Sequence, residues 1–405
     1  MRYALNGWTG GLLGTLGALA LPTVVAACGS VGAAHPGVSG ASASYSSASH
    51  ASNQTLRGAS APSGFRPAAA SFVSSSQGWV LGSGGRCDSC AQLRVTSDGG
   101  ARWAVLPAPP APLGYYTQQP GAVTDVVFAN STDGFLFGPG LLATDDGGRS
   151  WVRQPLPPVL TVRTGGGYVY ALTQRAQAGP VALWRSAVGV SHWRLVPLPA
   201  GAAPRPGTYQ GMRMSVEGGT LVLLQVGFTG PEVSPGLVGR LWVSGDAGAQ
   251  WQARPVPCTP SDGGAAVVAI ALGHPGAWLV DCFDNMQSSQ EQDTQHHLYG
   301  TVTAGRSWVR LPDPTRHNAP VLLADNGGGH AFLATQGGVG DTLVGTTDGG
   351  RSWGLVLRSG GSFFGWADLG FVSASVGFVV GPTHYAPEHL YRTQDGGRTW
   401  QVVRA

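Results

Sequence analysis

Two clusters in this sequence carry residue types that could do chemistry. One runs through Asp281-Cys-Phe-Asp284, Glu291, Asp293 and His296-His297. Paired carboxylates with imidazoles beside them are the raw material of a metal site or of acid–base hydrolysis. Their spacing matches no metal-ligand or glycosidase motif, and a hydrophilic loop reads first as solvated chain. The other cluster is Cys87-Asp-Ser-Cys90. That spacing suits a redox dithiol in a βαβ setting, which is missing here. A third feature is acidic and glycine-rich, Asp348-Gly-Gly-Arg-Ser-Trp353. A calcium ion takes about 6–8 oxygens, and this loop offers one carboxylate. Nucleophile triads and phosphate-cradling loops have no signature, and nothing calls for a cofactor or a metal.

The third feature changes meaning when the whole chain is read. Leu343-Val-Gly-Thr-Thr-Asp-Gly-Gly-Arg-Ser-Trp353 returns as Leu390 to Trp400 and as Leu141 to Trp151. Weaker copies run Leu93 to Trp103, Leu183 to Trp193, Leu241 to Trp251 and Leu298 to Trp308. All seven keep the leading Leu and the closing Trp: Trp103, Trp151, Trp193, Trp251, Trp308, Trp353 and Trp400. The acid is Asp98, Asp146, Asp246, Asp348 or Asp395 in five of them, Val188 in the third and Thr303 in the fifth. A second piece precedes the acidic turn, seen in Phe72 to Gly82, Val127 to Gly138 and Phe371 to Gly381. It reads as strand, tight turn, strand. The Leu-led stretch is a third strand and the Trp-led stretch a fourth. Four strands repeating at intervals near those of known propeller repeats, about 40–50 residues, predict a propeller blade. The expected fold is therefore all-β, a seven-bladed propeller of four-stranded antiparallel blades over residues 68–405. In each turn the Asp accepts backbone N–H bonds and the following Gly takes positive φ. The Trp opens the outer strand and is placed to wedge against the next blade.

This pattern resembles the BNR or Asp-box repeat proteins. That superfamily includes sialidases, sortilin-type receptors, family 74 glucanases and the photosystem II assembly and stability factors. The Phe-to-Gly piece followed by Leu-x-Thr-x-Asp-Gly-Gly-Arg-Ser/Thr-Trp is most similar to the last group. The resemblance implies a binding or assembly scaffold acting through protein–protein contacts, with no catalytic residue. The rival it leaves is carbohydrate binding or glycoside hydrolysis. A sialidase-like site finds little here: Phe65-Arg66-Pro67 lacks the Ile of the usual opening stretch. Glu217, Glu232, Glu291 and Glu388 follow no Tyr motif.

The N-terminus predicts export. Arg2 precedes the apolar run Gly11 to Ala27, and Val25-Ala26-Ala27-Cys28 resembles a bacterial lipobox. That resemblance implies a signal over 1–28, a diacylglyceryl group on Cys28 and a membrane-anchored, extracytoplasmic protein. Residues 29–67 are rich in Ser, Ala and Gly and read as a flexible tether. In an exported protein the other cysteines are expected to form disulfides, with Cys87–Cys90 and Cys258–Cys282 as the candidate pairs. All 24 basic residues are Arg, yet the net charge is only +3 and no Arg cluster occurs. Nucleic acid is not an expected partner. The expected state is a monomer binding an unidentified protein or glycan.

Strand alternation sorts the loops. The acidic turns share one face with the first hairpin turns, and the longer, variable loops share the other. Functional loops on rigid scaffolds tend to be of the second kind. The candidate binding face there includes Tyr115, Tyr116, Tyr209, Asp284, Glu291, His296 and Trp366, with Phe363 and Phe364 nearby.

Overall fold

A computed structural model describes residues 54–55 and 64–405. Left outside are 85–86, 88, 115–119, 176–178, 203–208, 229–239, 259–265, 275, 285–294, 315–318, 337–339, 359–365 and 382–388. The fold is an all-β, seven-bladed propeller. Each blade is an antiparallel sheet whose four strands lie in sequence order. The first strands are Arg66–Phe72, Asp125–Phe128, Val159–Gly165, Tyr209–Glu217, Ala266–His274, Ala319–Asp325 and Asp368–Phe371. Each packs against the first strands on either side, so these seven border the central channel. The fourth strands form the rim, where Val105, Val152, Leu195 and Val309 are exposed. Blade six gains a short outer strand, Gln54–Thr55, parallel to Gly354–Arg358. Those two residues belong to the stretch read above as tether.

A paired Phe and Gly make the first hairpin compact. Phe72 stands opposite Gly78, Phe128 opposite Gly134 and Phe371 opposite Gly377. A Cβ on Gly78, Gly134 or Gly377 would lie 2.2–2.5 Å from the ring of the opposing Phe. The Gly of the Phe-to-Gly piece is therefore required by the ring that crosses it.

The box acid then ties the outer hairpin. In blade two the Asp146 carboxylate accepts from the Thr144 hydroxyl at 2.7 Å, the Ser150 amide at 2.9 Å and the Ser150 hydroxyl at 2.6 Å. Gly148 N–H donates back to the Thr144 hydroxyl. The Ser150 hydroxyl leads the donors that hold Asp146 well below the usual carboxylate range. Burial pulls Asp348 upward, but the Ser352 hydroxyl and amide and the Thr346 hydroxyl outweigh it and hold it at about 2. In blade five Thr303 does the same work with a hydroxyl, accepting from the Ser307 amide at 3.0 Å. In blade three, where Val188 has no acceptor to give, the Ser186 hydroxyl takes the His192 amide instead.

The same turns seal one blade to the one before it. A Cβ on Gly148 would meet Leu93 of blade one, and a Cβ on Gly248 would meet Val196 of blade three. Gly350 abuts Leu311 of blade five and Gly397 abuts Phe332 of blade six. The box Trp side chains take the same direction. Trp251 Nε1 donates to Pro197 O and Trp308 Nε1 to Pro255 O. Trp193 lies edge-on to Phe135 of blade two. This corrects the expected wedge against the next blade: the Trp sits on the preceding one. The outer strand it opens lies beside the exit of that blade.

The ring closes without a strand shared between blades one and seven. Phe72 packs on Phe378 with centroids 5.3 Å apart, and Gly100 abuts Val403. Arg392 donates to Ser75 O, and Ala70 N–H donates to Asp368 Oδ2 at 3.0 Å. Phe65 joins this seam, buried with Ala70, Phe378 and Val380.

Candidate functional site

The strand registers bring distant residues to one level of the channel. The pairing runs from each box Leu inward across its blade. Leu141 leads through Phe137 to Asp125, and Leu241 leads through Leu224 to Arg213. Leu390 leads through Val380 to Asp368. The other four blades place Ala69, Thr161, Ala269 and Leu322 at this level. Three of seven positions are thus charged, in blades two, four and seven. Arg163 of blade three stands two residues along, toward the Asp-box face.

Each group keeps part of its surface open while the packed inner strands strip much of its solvent. Burial pushes the Asp368 carboxyl up to about 6, and the nearby Asp125 charge adds to the rise. The amides of Ala70 and Leu369 and the Arg163 charge oppose it. Asp125 accepts from the Thr124 hydroxyl. Arg163 is lowered by burial, with Asp368 and Asp125 supporting its charge. Arg213 is lowered to about 10 by burial. The channel therefore holds two acids with different environments and two guanidiniums, an arrangement able to bind polar or charged groups.

The residues singled out from sequence fall in three places. The box acids and Trp residues lie on the opposite face, committed to turns and blade seams. Among the candidate-face residues, Tyr115, Tyr116, Glu291, Phe363 and Phe364 lie outside the described residues, as does Cys28. Tyr209 opens the inner strand of blade four rather than standing in a loop; Asp284 ends one strand of blade five and His296 lies within the next. His297 is buried, with Nδ1 2.7 Å from Arg310 Nη2, and Arg310 also bonds Asp313. It serves the blade edge. Trp366 is only 3% exposed and offers no binding surface. Its Nε1 donates to Thr342 O of blade six, and its ring meets Tyr391 edge-on. It fills the seam between blades six and seven. Cys87 is bonded to Cys90, and Cys258 to Cys282. The second bond ties the exit of blade four to blade five.

The channel charges carry no signal in the sequence. Each is a single residue in its own blade, and no local motif marks it.

These features define a seven-bladed β-propeller whose outer hairpins are tied by hydrogen-bonded turns. It is similar to a solved structure described as YCF48 bound to D1 peptide, at 20% identity and a TM-score of 0.52, covering 82% of this chain and 94% of that one. It is also similar to YCF48 from Cyanidioschyzon merolae, at 16% identity and a TM-score of 0.51, covering 82% and 96%. A virginiamycin B lyase from Staphylococcus aureus matches at 10% identity and a TM-score of 0.52, covering 82% and 96%. No protein-family model matches the sequence, and no curated protein matches it. At these identities the likeness is one of fold.

Proposed function

We propose that this protein is a non-catalytic binding scaffold, held by a lipid on Cys28 at the outer surface of a membrane. It takes a segment of a partner protein at the channel mouth opposite the Asp boxes. One observation carries the reading. The polar groups of the Asp-box face are spent on turns and seams, whereas the inner strands set the charged residues Asp125, Arg213 and Asp368 at one level of the channel. The likeness to a propeller described with a bound peptide supports a protein segment as partner. Hydrogen–deuterium exchange on the full chain, with peptides selected from a library, tests this. Protection is expected along Asp125–Phe128, Tyr209–Glu217 and Asp368–Phe371. Protection confined to the Asp-box turns would refute it. A Cys28→Ser variant that stayed in the membrane fraction would remove the anchor.

A second reading, carbohydrate binding or glycoside hydrolysis, is favoured by the acid pair. Asp368 is raised to about 6 beside Asp125, and one proton-holding acid near a second carboxylate is the stock of a glycosidase. Chromogenic glycosides decide it: turnover lost in Asp368→Asn would replace the scaffold with an enzyme.

A further inference from the structure

We propose that the Cys87–Cys90 disulfide is a thiol–disulfide exchange site, open to a dithiol reductant, whose redox state sets how firmly the connection from blade one to blade two is held. The inference goes beyond the scaffold reading and does not rest on it.

The two disulfides among the described residues differ in character. Cys258 and Cys282 are 24 positions apart. Cys282 is fully buried in a strand of blade five, and Cys258 packs against the same apolar cluster, which includes Trp278 and Val280. Cys87 and Cys90 are three positions apart, between the second and third strands of blade one. Cys90 and Ser89 are exposed there, and Cys87 is half-buried. A thiolate must reach a sulfur to exchange with it, so access separates the two pairs. Their structural duty separates them too. A bridge restrains the unfolded chain less when its loop is shorter. Strand pairing in blade one runs up to Ser83 opposite Ala91, inside the bridge, and does not need it. The propeller is expected to survive loss of the Cys87–Cys90 bond.

A thiolate of the dithiol attacks Cys90 Sγ, on the more exposed of the two cysteines. A mixed disulfide forms and Cys87 Sγ leaves as a thiolate. The Ser89 hydroxyl lies 3.8 Å from Cys87 Sγ, placed to donate to that charge. The second thiolate of the reductant then attacks the reductant's own sulfur in the mixed disulfide, and Cys90 Sγ leaves. Two electrons and, through water, two protons pass to the cysteines, and the dithiol ends as a disulfide. The loop joins two strands, without the helix N-terminus that lowers a thiol pKa in catalytic pairs. The pair is acted on by exchange and is not a catalyst of it.

The bond holds the next connection in place. Cys90 N–H donates to Cys87 O at 3.3 Å, closing the turn. Ser89 O accepts from Leu113 N–H at 2.8 Å, and Cys90 bridges to Pro112. Pro112 O takes the Val123 amide, and Val123 O takes the Gly114 amide. The first strand of blade two begins two residues later, at Asp125. Reduction removes the constraint that fixes Ser89 O. The Leu113 side chain stays in the core, so the amides loosen while the connection remains seated.

The test is reduction of the native full chain by dithiothreitol without denaturant, read by alkylation of the freed thiols and peptide mass spectrometry. Cys87 and Cys90 should be labelled about tenfold faster or more than Cys258 and Cys282, at a Tm close to that of the oxidised protein. Hydrogen–deuterium exchange should then rise at Leu113, Gly114 and Val123. A chain carrying both Cys87→Ser and Cys90→Ser should show the same rise without reductant, which covers the case where dithiothreitol also opens the second pair. Equal labelling rates for the two pairs would overturn the exchange site, as would labelling of Cys87 and Cys90 that begins only as the protein melts. Exchange at Leu113, Gly114 and Val123 that neither reduction nor the double variant alters would overturn the coupling to the connection.

Discussion

A threonine can stand in for the box aspartate because the turn needs an acceptor in a fixed place. Thr303 accepts the Ser307 amide and shares a hydroxyl contact with Ser307 at 2.9 Å. Asp348 does more, accepting the Ser352 amide, the Ser352 hydroxyl and the Thr346 hydroxyl. Asp348→Ala leaves those donors without it and should cost about 1–3 kcal/mol, read by denaturant unfolding. Asp348→Thr should recover most of that loss. The opposite sign is expected one residue beyond the acid. Ala247 and Ala304 hold φ of 59° and 54° where the equivalent positions, such as Gly147 and Gly349, are glycine. A side chain in the left-handed region costs about 1 kcal/mol or more per residue. Ala247→Gly should therefore raise stability by a fraction of that, because glycine also gains freedom in the unfolded chain.

At the scale of the turn and its neighbouring blade, two glycines of the same motif separate two effects. Gly349 has φ +71° and open space where a Cβ would stand, whereas Gly397 has φ +89° and Phe332 1.9 Å from that position. Gly349→Ala should cost only backbone strain, about 1 kcal/mol. Gly397→Ala adds a collision across the seam and should cost about 3 kcal/mol or more. Equal losses in a thermal melt would mean that the turn does not seal the blades. The turns themselves were legible because seven copies repeat their chemistry. Their direction across the ring was not, since a Trp at the head of an outer strand can face either neighbour. Trp366 misled for a related reason: it lies beside a loop but folds back onto Thr342. Asp125, Arg213 and Asp368 were invisible as a group. They occupy blades two, four and seven at unequal spacings, and bulges in other inner strands shift the count between them. Only the finished registers set them level.

Over the whole ring, two sets of carboxylates should pull stability in opposite directions with pH. The box acids have depressed values, with Asp348 at about 2 against an ordinary 3.8. A depressed group contributes stability above its unfolded pKa and loses it as pH falls through the folded one, here from about 4 to about 2. Asp368 is raised from 3.8 to about 6. Its contribution is full below pH 3.8 and is lost as pH rises through about 6, because its charge is then held in the channel with too little solvent. Between these windows, from about pH 4 to 6, both sets are favourable or nearly so. The Tm should peak there and fall by about 1–2 °C toward pH 7, the size expected for roughly 1 kcal/mol in a domain of more than about 300 residues. Asp368→Asn cannot ionise, yet its side-chain oxygen can still accept from Ala70 N–H at the closing seam. That variant should lose the decline between about pH 5 and 7 while keeping the acid-side collapse below about pH 4. A decline that persists in Asp368→Asn would place its cause elsewhere. Since the Ala70 bond joins blade seven to blade one, a variant that also melted early at about pH 5 would mean the seam needs the carboxyl itself.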